Sequence, residues 1–207
     1  MYLKDFFPKK SKVLKKAFFS GISFNSSDVK KDHIFFAIKG NKVDGNNFVD
    51  QAIKNGAKII ISEKKILNKN RNVLFYRTNN IRKLLSQISF KLSKIRLNNL
   101  VAVTGTNGKS SIADFYYQIL NLNQKRVASI GTIGIKYSNI KNKLKNTTLD
   151  PIQLSSILRS LNKKRIDYVI LEASSHGLDQ NRLDGLLFDI GIFTNLSHDH
   201  LDYHKNM

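Results

Sequence analysis

Residues Val101 to Ser111 read VAVTGTNGKSS, and this run constrains the fold more than any other. An apolar run from Leu100 to Val103 enters a Gly-Thr-Asn-Gly-Lys-Ser turn, and an amphipathic stretch from Ile112 to Leu120 follows. Strand, tight loop and helix in that order form a cradle for phosphates. Gly105 and Gly108 lack a Cβ, so backbone can approach anionic oxygens closely. Loop N–H groups and the helix N-terminus then face the anion. Lys109 is placed to reach the β- and γ-phosphates, and the Ser110 hydroxyl to hold Mg²⁺. The longer form of this loop has a glycine where Val103 stands. The alternative is a ligand-free glycine turn, but a lysine and a hydroxyl directly after Gly108 point to a nucleoside triphosphate, ATP.

The chain has 207 residues and 41% hydrophobic composition, enough for one large or two small domains with cores. No apolar run approaches the ~20 residues of a membrane span. The opening MYLKDFFPKKSK lacks the apolar segment of a signal peptide. With no cysteine, disulfides and thiolate metal sites are excluded. A cytoplasmic protein is the simplest expectation. The net charge of +20 raises a nucleic-acid hypothesis. The lysines are spread along the chain, however, with no stacking-type interleaving of aromatic and basic residues.

The first half reads as a small α/β unit. Strands are expected at Asp32–Lys39, Lys58–Ser62 and Val73–Tyr76, and a polar loop at Gly40–Asn47. A helix over Phe48–Asn55 is stopped by Gly56. A second helix, capped within Thr78–Asn80, runs to about Ile95, with Ile81, Leu84, Leu85, Ile88, Leu92 and Ile95 at helical spacing. The polar Arg96–Asn99 stretch is the expected domain boundary, giving domains 1–97 and 98–207. In the second half, Val127–Ile130, Tyr168–Leu171 and Asp189–Phe193 are expected strands. Asp150 caps a helix with Pro151 in its first turn and a stripe of Leu154, Ile157, Leu158 and Leu161. The alternation predicts an α/β fold with parallel sheets. Ligands of such sheets bind beyond the carboxyl ends of the strands, here after Val103, Leu171 and Phe193.

Those ends carry the polar residues. Glu172 follows an apolar strand, the usual place for a Mg²⁺ or water-orienting carboxylate, with a cap on the next turn as the lesser alternative. Four of the five histidines lie between His176 and His204. With Asp199 nearby they could bind a transition metal. Without cysteine, and with Mg²⁺ implied by the phosphate loop, one histidine as a Mg²⁺ or phosphate ligand is the preferred reading. Asn146, Thr147 and Thr148 precede the Asp150-capped helix and suit an anionic ligand.

In this order and spacing, GTNGKSS, NTTLDP, LEASSHGLDQNRLDG and FTNLSHDHLDYH resemble the Mur ligases of peptidoglycan synthesis, most closely the MurE branch. FNSSDV and FFAIKGNKVDGNNFVDQAIKNGA in the first half resemble that family's uridine-nucleotide domain. The resemblance implies a small N-terminal α/β nucleotide-sugar domain, followed by the first part of a P-loop-type parallel-sheet ATPase domain. It implies that Gly105, Thr106, Asn107, Gly108, Lys109, Ser110 and Ser111 hold the ATP phosphates. Ser110, Glu172 and His200 would bind Mg²⁺, with Lys109, Glu172 and His200 catalytic. Asn146, Thr147, Thr148, Ser174, Gln180 and Arg182 would hold the muramoyl-dipeptide. Phe24, Ser26, Asn41, Lys42 and Val43 would contact the UDP part.

The implied reaction is ATP-dependent amide-bond formation. Diaminopimelate or lysine joins the D-Glu of UDP-N-acetylmuramoyl-L-Ala-D-Glu through an acyl phosphate, in a monomer. The chain departs from the family pattern at Asn25-Ser26-Ser27 (usually Asp-Ser-Arg), Leu149 (often Pro), Ser110 (Thr) and His198 (more commonly Arg). Family members are more than twice as long, so the sequence is read as a catalytically incomplete portion of such a ligase, with an open sheet edge that favours aggregation. Three alternatives remain: a non-catalytic UDP-sugar/ATP-binding fragment, a sibling such as folylpolyglutamate synthetase, and a basic nucleic-acid binder.

Overall fold

A computed structural model describes residues 17–41, 43–66, 70–95, 97–137, 140–142 and 146–205. Lys42, Arg96 and the N-terminal segment weighed as a signal peptide lie outside the described residues. The chain divides into two compact units, Met1–Ile88 and Ser89–Met207. The division falls ahead of the polar Arg96–Asn99 stretch, because Phe90 packs in the core of the second unit.

The first unit is a parallel sheet of β1 (Gly21–Ser23), β2 (His33–Phe36), β3 (Ala57–Ser62) and β4 (Leu74–Arg77), in that order. Strand β1 is absent from the sequence expectation; it is three residues long and carries little apolar signal. Strand β2 is shorter than Asp32–Lys39, since Asp32 adopts a positive φ of 63°. Helix α1 (Val49–Lys54) places Val49 and Ala52 in one core with Phe35 and Ile60. The alternate residues Ile34, Phe36, Ile59 and Ile61 are buried too. Burial on both faces explains why β3 reads as an unbroken apolar run. Helix α2 (Ile81–Ser93) is capped by Asn80, whose Oδ1 accepts from Lys83 N at 2.8 Å.

The second unit holds a six-stranded sheet. Its strands are β5 (Asn99–Thr104), β6 (Val127–Gly131), β7 (Gly134–Tyr137), β8 (Ile140–Asn142), β9 (Tyr168–Glu172) and β10 (Ile190–Phe193). Their spatial order is β10-β5-β9-β6-β7-β8. The first four run parallel; β7 and β8 are antiparallel additions that sequence periodicity did not indicate. Helix α3 (Lys109–Leu122) packs on β6 and β9. Helix α4 (Pro151–Lys163) starts as expected, with Asp150 Oδ1 accepting from Ile152 N and Gln153 N at 3.0 Å each. Leu154, Leu158 and Leu161 are buried in the core with Val169 and Leu171. Short helices α5 (Ser175–Asp179) and α6 (Leu201–His204) follow β9 and β10. Strand β10 is an exposed edge, with Ile190 54% and Phe193 63% accessible. Among the described residues no helix is long and apolar enough to cross a membrane.

Candidate functional site

The four parallel strands β10, β5, β9 and β6 each end at a polar loop, and those loops meet. After β5 the chain turns through Gly105 at φ 132° and Gly108 at φ 85°. A Cβ on Gly105 would stand 2.1 Å from Thr194 Oγ1 and 2.8 Å from the Asn195 carbonyl, so the close fit needs glycine. The loop is braced by the end of β10. Thr106 N donates to Asn195 O at 3.0 Å, and Asn107 N to Asn195 Oδ1 at 3.0 Å. Thr194 Oγ1 donates to Asn107 O at 2.7 Å, and Ser197 N to Thr106 Oγ1 at 2.9 Å.

No side chain caps α3, whose first N–H groups follow the left-handed Gly108. An uncapped helix of this length presents its positive end to an anion. Lys109 arches back, Nζ donating to the carbonyls of Gly105 at 2.6 Å and Thr106 at 2.8 Å. The ammonium is thus anchored over the loop by its own backbone. Ser111 is exposed.

Glu172, at the end of β9, is 2% exposed. It accepts from Ser110 Oγ (2.9 Å), Thr132 N (2.9 Å) and Thr132 Oγ1 (3.0 Å). Gly131, just before Thr132, leaves no room for a Cβ, which would fall 2.1 Å from Glu172 Oε1. Among the described residues no ion pair neutralises this carboxylate. Burying an uncompensated carboxylate is costly. One carboxylate plus hydroxyls, all hard oxygen donors, fits Mg²⁺, which keeps several waters and takes few protein ligands. No group of three or more His, Asp or Glu among the described residues is arranged to hold a metal ion.

His200 occupies a separate cluster. It sits at φ 51° ahead of α6, its ring edge-on to His176 with centroids 4.6 Å apart. Tyr203 and His204 complete the group, at 4.1 and 5.4 Å from His176. Burial, with His200 and His204 alongside, holds the His176 imidazole below the ordinary histidine value. The structure therefore brings Ser110 and Glu172 together directly and places His200 against α5.

The expected substrate residues other than Asn146 are joined, through Thr132 and Glu172, in one hydrogen-bonded chain. Thr147 Oγ1 lies 2.9 Å from Thr132 Oγ1. Thr148 is buried; its Oγ1 donates to Glu172 O (2.9 Å), accepts from Ser174 N (2.8 Å) and lies 3.0 Å from Ser174 Oγ. Ser174 Oγ also accepts from Gly177 N, capping α5. Arg182 donates to the Thr148 carbonyl and, through Nε and Nη2, to Gln180 Oε1. Gln180 Nε2 donates to Tyr203 OH at 3.1 Å, and Tyr203 OH to Asp179 Oδ2 at 2.7 Å. Asn146 stands exposed at the outer end.

In the first unit, Phe24 follows β1, and Asn41 and Val43 follow β2, so they lie beyond the carboxyl ends of neighbouring parallel strands. Phe24 and Val43 are exposed. Ser26 is buried, its hydroxyl donated to Gln51 Oε1 at 2.8 Å. The loop is held by Asp44, which accepts from Asn46 N at 3.0 Å and pairs with Lys64 at 2.7 Å. The Lys64 hydrogen bond first, then Asn46, hold the Asp44 carboxyl well below the usual carboxylate range.

Sequence reasoning missed Thr132, Thr194 and Asn195. The strand-end rule contained the signal for all three, since Thr132 follows β6 and Thr194 follows β10.

Comparison with known proteins gives a consistent set. Residues 103–207 match the Mur ligase middle domain, and residues 19–89 the Mur ligase family catalytic domain. The UDP-N-acetylmuramoyl-L-alanyl-D-glutamate–2,6-diaminopimelate ligase of Wigglesworthia glossinidia brevipalpis is 41% identical over 214 residues, spanning 99% of this chain and 43% of the relative. The protein of the same name from Buchnera aphidicola subsp. Schizaphis graminum (strain Sg) is 42% identical over 203 residues, 91% of this chain and 40% of the relative. A solved structure of a ligase of that name superposes with a TM-score of 0.84 at 31% identity, covering 99% of this chain and 42% of the other. The chain thus spans about two fifths of the length of these relatives.

Proposed function

This chain belongs to the Mur ligase family, and on that premise we propose that it carries the UDP-sugar site and part of the ATP site of a cytoplasmic peptidoglycan-precursor ligase. The full enzyme would join meso-diaminopimelate or lysine to the D-Glu of UDP-N-acetylmuramoyl-L-Ala-D-Glu. Residues 1–97 would be the nucleotide-sugar domain and 98–207 the first part of the ATP-binding domain. The observation that carries the reading is the meeting of the uncapped phosphate loop with the buried, unpaired Glu172 through Ser110.

In this reading the γ-phosphoryl group of ATP passes to the free carboxylate of D-Glu, ADP leaves, and an acyl phosphate forms. The incoming amine attacks the acyl carbon, loses a proton, and phosphate departs. Gly105 to Ser111 hold the triphosphate, and Lys109 offsets charge on the transferring group by position rather than by covalent chemistry. Ser110 and Glu172 would hold Mg²⁺, which would supply further stabilisation of that charge; the family resemblance adds His200, which in this structure stands against His176 instead. Arg182, a planar fork, would clamp a substrate anion alongside Asn146, Thr147, Ser174 and Gln180. Phe24, Ser26 and the Asn41–Val43 loop would take the uridine end.

Calorimetric titration of the 207-residue chain with UDP-N-acetylmuramoyl-L-Ala-D-Glu, and separately with Mg-ATP, tests the proposal. Saturable binding of both is expected. A folded monomer that binds neither would overturn it.

A further inference from the structure

Thr132 has no role in the reaction as drawn above, yet its hydrogen bonds reach both Glu172 and the substrate loop. Its N–H and its hydroxyl both donate to Glu172, at 2.9 and 3.0 Å on different carboxylate oxygens. Two donors on two oxygens fix the plane of a carboxylate as well as its position. The same hydroxyl is 2.9 Å from Thr147 Oγ1. A hydroxyl has one proton. Thr132 uses its proton on Glu172, so the proton between the threonines belongs to Thr147. Thr147 is then left with only lone pairs for any ligand, and faces it as an acceptor.

Thr148, its neighbour, is placed differently. Its hydroxyl donates inward to the Glu172 carbonyl and is closed off by Ser174. Of the paired threonines, Thr147 is the half-buried one and Thr148 the buried one.

Resting on the function proposed above, we infer that Thr132 is a positioning residue that joins the cation carboxylate to the substrate loop. It orients Glu172 for Mg²⁺ and polarises Thr147 to accept an N–H of the bound dipeptide. Metal–nucleotide binding and nucleotide-sugar binding are thereby coupled through one hydroxyl. Coupling of this kind is reciprocal: each ligand tightens the other by the same factor.

The test uses the 207-residue chain and its Thr132→Val, Thr132→Ser and Thr147→Val variants. Affinity for a non-hydrolysable ATP analogue is measured calorimetrically with Mg²⁺ and with EDTA. Affinity for UDP-N-acetylmuramoyl-L-Ala-D-Glu is measured with and without the Mg-bound analogue. For Thr132→Val, the Mg²⁺ enhancement of analogue binding is expected to fall about tenfold, the usual effect of losing a hydrogen bond to a charged group. Its affinity in EDTA should stay at the wild-type value, and the coupling between ligands should vanish. Thr132→Ser should restore both. Thr147→Val leaves every contact to Glu172 in place, so it should lose the coupling and keep the Mg²⁺ enhancement.

A Thr132→Val protein with wild-type enhancement and coupling would overturn the inference. So would a Thr147→Val protein that loses enhancement and coupling together, or keeps both; this arm stands even if Thr132→Val does not fold. A folded wild-type chain that binds no analogue would sink the functional reading itself, and this inference with it.

Discussion

The Thr194 hydroxyl stands where a Cβ on Gly105 would have to go, 2.1 Å from that position. The two residues directly follow neighbouring parallel strands that end side by side, β5 and β10. The fit locks the phosphate loop against the following strand end. Gly105→Ala adds a methyl group at φ 132°, a region costing about 1–3 kcal/mol for a residue with a Cβ. Displacement of the Thr194 side chain and the Asn195 backbone adds to that. Urea unfolding should show a loss in or above this range, and Mg-ATP titration a loss of binding. Wild-type binding by Gly105→Ala would show that the loop has another accessible shape.

Glu172→Gln separates stability from cation binding. The glutamine keeps the shape, and its amide can donate to the Ser110 and Thr132 hydroxyls once they rotate. In metal-free buffer the variant should be as stable as the wild type or more so, since a buried charge without a counter-ion is gone. The Mg²⁺ dependence of nucleotide affinity should disappear. Thermal unfolding with EDTA, beside nucleotide titration with and without Mg²⁺, reads both effects. Marked destabilisation with intact Mg²⁺ dependence would contradict the assignment of Glu172.

Much of this site was legible in the order of residues along the chain. The loop around Lys109 and the Asp150–Pro151 helix start are local signals, because a turn or a cap is made by residues close in sequence. Burial on both faces made β3 and β9 readable as apolar runs. Thr132 escaped notice because Gly131-Thr132-Ile133-Gly134 looks like an ordinary turn until β6 is known to lie beside β9. The bracing of the phosphate loop by Thr194 and Asn195 depends on β10 pairing with β5, a neighbour relation that chain order does not contain. The division inside α2 likewise rests on which core Phe90 joins, not on the polar composition of residues 96–99.

Asp150 offers a pH test with a definite sign. Burial raises its folded carboxyl pKa above the ordinary value, against the smaller opposing effects of the Gln153 and Ile152 N–H groups and Arg182. Its contribution to stability is complete below the ordinary aspartate pKa and is lost as pH rises through the folded one. Asp150→Asn caps as well and does not ionise. The unfolding midpoint of this variant should match the wild type in acid and exceed it at neutral pH. Asp150→Ala removes the cap as well and should be about 1 kcal/mol less stable than Asp150→Asn at every pH. An asparagine variant less stable than wild type at pH 7 would mean the Arg182 interaction outweighs burial.

The exposed edge at β10 makes a prediction about solution behaviour. Ile190 and Phe193 are exposed on a strand whose outer side pairs with no strand among the described residues. Such edges template pairing between copies. Light scattering of the 207-residue chain should rise with protein concentration, and Phe193→Lys should suppress the rise. Identical, concentration-independent scattering from both proteins would show that the edge is not the point of association.

The bracing contacts of the phosphate loop span 88 and 91 residues of sequence. Chain closure over such distances is entropically slow, and synthesis proceeds from the N-terminus. On the ribosome, therefore, the Gly105–Gly108 turn is made early but stays unfinished. It reaches its working shape only after Thr194 to Ser197 have been translated and β10 has docked. A nascent chain halted at α5 would carry the whole glycine-lysine signature and still lack a binding-competent loop.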